Sequence, residues 1–416
     1  MLRSIKGVKD LLPSQTPSWQ FMEATARLWA SRYGFSEIRV PIFESTELFA
    51  RSIGGATDIV EKEMYTFPDR DGSSLTLRPE GTAGVVRAVL EHRLLESINT
   101  RKLFYFGPMF RHERPQAGRY RQFHQFGVEA FGIEDPSIDV EIVSLLWNFF
   151  VDLGLKDLTL HINSIGTPQD RENYILELKN FLSPSISNFC GNCQRRFTAN
   201  PLRILDCKVP FCVEATHLAP SIIDLLSHDS RNHFQKVLDG LKDLAIPFSI
   251  NPRLVRGLDY YSRTTFEITS PHLGAQSTIG AGGRYDSLVE LLQGPPTPAV
   301  GFAVGLERVS LLLPEGTAQP SSPSVFLAGF GTHGKPAAFK LLHVLRKRGI
   351  SAETDYKATN LKALLRSADK LSVKFSVIVG DDEVQTGFVL LRNMETKEQE
   401  SIDVNELPEK ITQLFQ

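Results

Sequence analysis

The sequence predicts an α+β protein in two parts: a sheet domain interrupted by a helical insertion, followed by a small α/β domain. Two long β-like runs, residues 102–113 and 121–131, are joined by a segment in which Pro115 and Gly118 mark a long hairpin loop. Residues from about 170 to 240 read as helices around four cysteines, and the β signal resumes only at residues 263–269, as expected for an insertion in a sheet domain. The run Pro314-Glu-Gly-Thr-Ala-Gln-Pro-Ser-Ser-Pro323 is a linker, rich in Pro, Ser and Gly, between an apolar stretch and a new strand.

In chain order, Thr16-Pro17 reads as N-cap and first helical residue. Phe21, Met22, Thr25, Leu28 and Trp29 then recur at helical spacing until Gly34 supplies a stop. Residues 38–43 are β-like, but Pro41 cannot donate to a ladder, so this strand belongs at an edge or against another chain. The hairpin follows, then a helix over about 139–153. Residues 299–305 form a glycine-rich strand feeding a helix over 306–313. Beyond the linker, a strand (325–330), two helices (337–347 and 360–371) and two strands (375–379 and 388–391) alternate as in small α/β domains.

A chain of 416 residues is too long for one ordinary core. Its formal charge of −2 gives no global reason to expect a polyanion partner, so any such site must be a local patch. Neither an apolar segment of signal-peptide type at the N-terminus nor a membrane-length apolar run is found, which makes the cytoplasm the expected compartment and excludes a membrane partner. Four cysteines in this length fit reduced thiols better than a disulfide framework.

Local patches carry the chemistry. Residues 111–121 hold four arginines (Arg111, Arg114, Arg119, Arg121) and one histidine against the single acid Glu113, an anion site in which planar guanidinium forks suit phosphate. On the returning strand, the two-residue period puts Arg121, Phe123, Gln125, Gly127 and Glu129 on one face and His124, Phe126, Val128 and Ala130 on the other. The first face suits either solvent or a nucleotide beside a polar small molecule. Arg256-Gly-Leu-Asp-Tyr-Tyr261 reads as a turn opening a strand, and Leu77-Arg-Pro-Glu-Gly-Thr82 as a turn in which Thr82 caps a helix. Cys190-x2-Cys193, Cys207 and Cys212 leave two readings open, a four-sulfur zinc site or reduced thiols in a small helical insertion.

Phe110-Arg-His-Glu-Arg-Pro-Gln-Ala-Gly-Arg-Tyr-Arg-Gln-Phe-His-Gln125 resembles the second signature motif of class II aminoacyl-tRNA synthetases in its histidyl form. Arg256-Gly-Leu-Asp-Tyr-Tyr261 resembles the signature particular to histidyl-tRNA synthetases, residues 299–308 the third class motif, and Pro41 the proline of the first, at the dimer interface. The resemblance implies an α+β catalytic domain over residues 1–320, built on an antiparallel sheet of the class II synthetase type with the insertion at about 170–240. Residues 324–416 become an anticodon-binding α/β domain.

It further implies a homodimeric histidine–tRNA ligase that uses ATP with Mg2+ and charges tRNA(His). Arg111, Arg256 and Arg308 are then the catalytic cations, and Arg111, Glu113, Arg119, Phe123 and Arg308 hold ATP. Glu80, Thr82, Gln125, Glu129, Tyr260, Tyr261 and Tyr285 hold histidine, tyrosines and a carboxylate being apt partners for an imidazole. Arg114, Gln116 and Arg121 meet the tRNA. The family is not generally zinc-dependent, so no metal ligands are assigned among the side chains. The rival is a paralogue serving as a regulatory subunit of histidine biosynthesis, against which stand the intact Arg256 motif, Arg308 and the α/β tail. A tRNA sensor without catalysis is a second rival, disfavoured because the ATP-contacting arginines are retained.

Overall fold

The computed structural model describes residues 2–54, 57, 59–96, 100–255, 260–318 and 322–415. The chain divides into two compact units, residues 1–319 and 320–416. The first is built on an eight-stranded sheet in the order Ser36–Glu37, Arg101–Phe110, Gln122–Phe131, Ala299–Gly305, Thr278–Arg284, Ser262–Thr269, Thr159–Ser164, Ser249–Ile250. Its six inner strands are antiparallel throughout, and each edge is closed by a two-residue parallel strand. The hairpin runs in unbroken register from Arg101 opposite Phe131 to Phe110 opposite Gln122.

The two-residue alternation decides which face meets what. Phe126, Val128 and Ala130, with Phe104 and Phe106 from the neighbouring strand, pack under helices Thr16–Arg32, Ser137–Asp152 and His228–Asp243. Phe126 stands 5.0 Å from the Phe106 ring and edge-on to Phe149 and Phe302. Phe123, Gln125 and Glu129 therefore point to the opposite face. Helix Thr16–Arg32 ends as expected, with Gly34 at φ +77 and Phe35 N–H bonded to the Ala30 carbonyl at 2.9 Å.

Other expectations shift. Residues 38–42 form no strand, and only Ser36–Glu37 and Phe43–Ser45 pair. Pro41 has no N–H to donate, and the carbonyls of Val40 and Pro41 accept instead from the Arg78 guanidinium at 2.8 and 3.3 Å. The helix after the glycine-rich strand is short, Leu306–Ser310. The insertion comprises helices Pro168–Leu182, Gly191–Ala199, Pro210–Ala215 and His228–Asp243 with short 3-10 turns between them. Asp170 joins its two ends, closing a capping box with Thr167 and accepting from Ser227 N–H at 2.8 Å and from the Ser230 hydroxyl. Burial raises the Asp170 carboxyl, but the bonds from Ser230, Thr167 and Ser227 outweigh it and hold the group at about 2.

The second unit has a five-stranded sheet, Ala352–Glu353, Val325–Gly329, Phe375–Val379, Phe388–Asn393, Gln399–Asp403, parallel at first and antiparallel from Phe388 onward. Helices Gly334–Lys347 and Leu407–Leu414 contribute to the apolar cluster on one face and Leu361–Lys370 to that on the other.

One ion pair lies at the centre of the first unit. Arg284 and Asp139 are both fully buried, with Nε donating to the carboxylate at 2.8 Å, and Arg284 also donates to the carbonyls of Ile133, Glu134 and Asp135. Removing one partner strands the other charge in the core. Arg284→Met should destabilise this unit by about 3–5 kcal/mol, and Asp139→Leu added to it should recover part of the loss. All three tryptophans (Trp19, Trp29, Trp147) lie in this unit, so their fluorescence in denaturant reads it directly. A loss under about 0.5 kcal/mol, typical of a surface change, would remove the pair from this role.

Candidate active site

Phe123, Gln125 and Glu129 line a cavity of about 1020 Å³ on the sheet face turned away from the helices. Glycine makes room for them. Gly301 faces Glu129 in register, and a Cβ there would overlap the Glu129 carboxylate. Gly127 faces Tyr105, whose ring lies across it where a side chain would stand.

The inner end of the cavity is a network around Glu129, which is 1% exposed. Thr82 donates to one carboxylate oxygen at 2.7 Å and Tyr285 to the other. The Thr82 proton is thereby committed, and its lone pairs remain for a donor. Glu80 caps helix Thr82–Glu91 from below, accepting the N–H groups of Thr82 and Ala83 at 2.7 and 2.9 Å. Tyr260 packs at 4.8 Å from Tyr261 and 5.6 Å from Tyr285, ring centre to ring centre. The carbonyl oxygen of Gln125 is buried with no hydrogen-bond partner among the described residues.

Burial pushes the Glu129 carboxyl up to about 8, against the bonds from Tyr285 and Thr82 that favour its charged form, with Glu80 adding like-charge repulsion. Burial also raises Glu80, opposed by its two backbone bonds. At neutral pH the ligand-free pocket holds Glu129 mostly protonated.

The outer end is cationic. Arg111 donates from Nε to the Pro79 carbonyl at 2.8 Å and lies 5.4 Å over the Phe123 ring. Glu113 pairs with Arg119 at 2.6 Å and stands 3.8 Å from Arg111. Arg308 donates to the Thr278 carbonyl at 2.6 Å, and its pKa is lowered by burial and then by Arg119 and Arg111 nearby. Three guanidiniums that crowd one another around a cavity are suited to a polyanion.

Glu80, Thr82, Arg111, Glu113, Arg119, Phe123, Gln125, Glu129, Tyr260, Tyr261, Tyr285 and Arg308 thus line one cavity. Arg114, Gln116 and Arg121 do not; the first two are exposed on the hairpin loop, and Arg121 is held beside Gly7, whose carbonyl accepts its N–H at 2.7 Å. Arg256 lies outside the described residues. Sequence reasoning missed Tyr105, whose only signal was the bare Gly127 opposite it, and Arg253, which reaches from the cavity wall to the Thr216 and Leu205 carbonyls of the insertion at 2.8 and 3.4 Å.

A family model described as histidyl-tRNA synthetase matches residues 7–168 and 216–309, and one described as anticodon binding domain matches residues 324–414. The chain belongs to the histidyl-tRNA synthetase family. A relative from Trichlorobacter lovleyi named histidine–tRNA ligase is 51% identical over 403 residues, 96% of each chain. One of the same name from Pelotomaculum thermopropionicum is 50% identical, covering 98% of this chain and 97% of its own. The apo histidyl-tRNA synthetase of S. aureus superposes with a TM-score of 0.84 at 39% identity, covering 99% of this chain and 100% of its own. The histidyl-tRNA synthetase model passes over residues 169–215, the first part of the insertion.

Tyr285→Phe removes a hydroxyl that favours the ionised Glu129. In the ligand-free protein the carboxyl should then titrate above about 8, visible as a protonated-carboxyl infrared band that persists to higher pH. An unchanged midpoint would separate Tyr285 from the carboxylate.

Proposed function

We propose that the chain is an ATP-dependent histidine–tRNA ligase. The carrying observation is one cavity with two chemically different ends: a buried carboxyl ringed by tyrosines, able to share a proton, and a cluster of three arginines. The imidazole of histidine fits the first and a triphosphate the second. The histidine carboxylate oxygen attacks the α-phosphorus, the bond to the β-phosphate oxygen breaks, and pyrophosphate leaves. The terminal ribose hydroxyl of tRNA(His) then attacks the adenylate carbonyl and AMP leaves. No side-chain nucleophile is needed, so the protein's work is positioning and charge stabilisation.

Gln125 supplies its unpartnered carbonyl, and Thr82 its lone pairs, to the amino group. Arg111 and Arg308 grip the phosphates, with Phe123 and Glu113 about the adenine. ATP enters as its magnesium complex, and the wall carboxylate Glu267 is chemically fit to meet that ion or its water. Arg114, Gln116 and Arg121, outside the cavity on the hairpin, are placed to meet tRNA, and residues 324–414 to bind its anticodon. Pro41 lies beside Ile42 and Phe43, 44% and 54% exposed, an apolar surface suited to a homodimer. Among the described residues no helix is long and apolar enough to cross a membrane, and the cytoplasm is the proposed compartment. The rival reading, a silent regulatory paralogue, is disfavoured by relatives of about half identity that bear the ligase name over nearly the whole chain.

The direct test is histidine-dependent exchange of pyrophosphate into ATP, followed by charging of tRNA. Exchange without charging would favour a different role, and no exchange with any amino acid would refute the enzyme. Arg256→Ala should slow adenylate formation by about 10²-fold or more, as loss of one preorganised charge contact does, with much less effect on histidine affinity. Equal losses in both would end that assignment.

Histidine affinity should also carry the pKa of Glu129. If the bound carboxyl and imidazole share one proton, no proton is exchanged between about 6.5, the usual imidazole value, and about 8, where free Glu129 ionises. Below that window binding must release a proton and weakens as pH falls; above it binding must take one up and weakens as pH rises. Calorimetric titration across the range checks this, and affinity that climbs through pH 8 would contradict a shared proton.

A further inference from the structure

We propose that the insertion holds one zinc ion on four thiolates, Cys190, Cys193, Cys207 and Cys212, as a structural clip in the wall of the cavity. The four sulfurs all lie within 4.8 Å of one another, although the cysteines come from three separate pieces of chain. Cys190 precedes helix Gly191–Ala199 and Cys193 lies in its first turn, Cys207 follows the turn Pro201–Ile204, and Cys212 is in helix Pro210–Ala215. A tetrahedral ion about 2.3 Å from each sulfur sets the sulfurs about 3.8 Å apart. The Cys190 and Cys207 sulfurs stand at 3.9 Å.

None of the four is in a disulfide. Paired as disulfides they would form two separate bonds of about 2.05 Å; here they converge on a common centre. The quartet is too tight to enclose a multi-atom iron–sulfur cluster and fits a single ion. Cys193 and Cys212 are fully buried and Cys207 nearly so. The backbone N–H of Cys190 points at the Cys212 sulfur at 3.4 Å, the outer contact that orients a thiolate ligand. Arg196 and Arg203 are the cations on the same stretch of wall, while Lys208 is paired with Asp206 at 3.0 Å.

The mechanical consequence follows from where the ligands sit. One ion fastens the helix, the loop after it and the next helix, so the segment bearing Arg203 and Lys208 has a fixed place beside the cavity. All four ligands fall between the two stretches matched by the histidyl-tRNA synthetase model, inside the insertion. Zinc on four thiolates does no chemistry of its own, having no open coordination position.

The test uses the full chain purified without chelator or added metal. Elemental analysis should find one zinc per chain, released in step with modification of the four thiols by an organomercurial. Cobalt exchanged into the site should give the intense visible bands of a tetrahedral thiolate complex. Cys193→Ser and Cys212→Ser should each abolish tight zinc retention. Should these variants fail to fold, the wild-type stoichiometry and cobalt spectrum still decide. Iron in place of zinc, two disulfides by mass, or four thiols that react freely in native protein that takes up no zinc would each overturn the proposal.

Discussion

A carboxylate taken out of water loses several kcal/mol of solvation unless hydrogen bonds or a counter-charge replace it. Glu129 is held in that position at the centre of the sheet, and its surroundings are organised by the deficit. Two hydroxyls reach it, from Thr82 at a helix start and Tyr285 at a strand end, and the strand beside it is bare at Gly301 so that the carboxylate can lie flat. These donors do not suffice to keep it charged at neutral pH, which is why the group sits at about 8. What would complete it is a partner able to share a proton, and the imidazole is the amino-acid side chain built for that.

The other end of the cavity has the converse problem. Arg308 has its pKa lowered first by burial and then by Arg119 and Arg111, with Glu113 only partly opposing them. An anionic ligand relieves that repulsion. Both deficits are tolerated because the rest of the unit is over-determined. Arg284 and Asp139 are paired deep in the core, and the motif that supplies Tyr285 to Glu129 also supplies Arg284 to Asp139. One short strand end thus carries a functional contact and the pair that fixes its position.

Much of this was legible from local sequence. The alternation over residues 122–131 separated Phe126, Val128 and Ala130, which enter the core, from Phe123, Gln125 and Glu129, which enter the cavity. Where alternation was extended past the strand it lost meaning. Arg121 precedes Gln122, the first residue of the strand; its carbonyl still accepts the Arg111 N–H at 2.9 Å, but its own N–H turns to the Gly7 carbonyl and its side chain packs beside Gly7, outside the cavity. Tyr105 was not legible because its place depends on register with Gly127, a long-range fact. For Arg284 the partner lies 145 residues away. The strand expected over 38–43 but absent at 38–42 has the same origin, since the guanidinium that takes the Val40 and Pro41 carbonyls comes from Arg78.

The insertion poses its own physical question. A stretch of about 75 residues, Pro168 to Asp243, seldom buries enough apolar surface to stand alone, and this one has two supports. Its ends are joined through Asp170, Thr167, Ser227 and Ser230. Its apolar side chains, among them Tyr174, Leu178, Phe189 and Ile204, continue without a break into the cluster that holds Tyr260, Tyr261 and Tyr285. In its middle, short helices and 3-10 turns carry Arg203 and Lys208 along the cavity wall. The four sulfurs converge there. A crosslink at that point ties short segments that have little regular structure of their own, and because the same apolar cluster reaches the tyrosines around Glu129, order in the insertion and order in the tyrosine-lined pocket are mechanically joined.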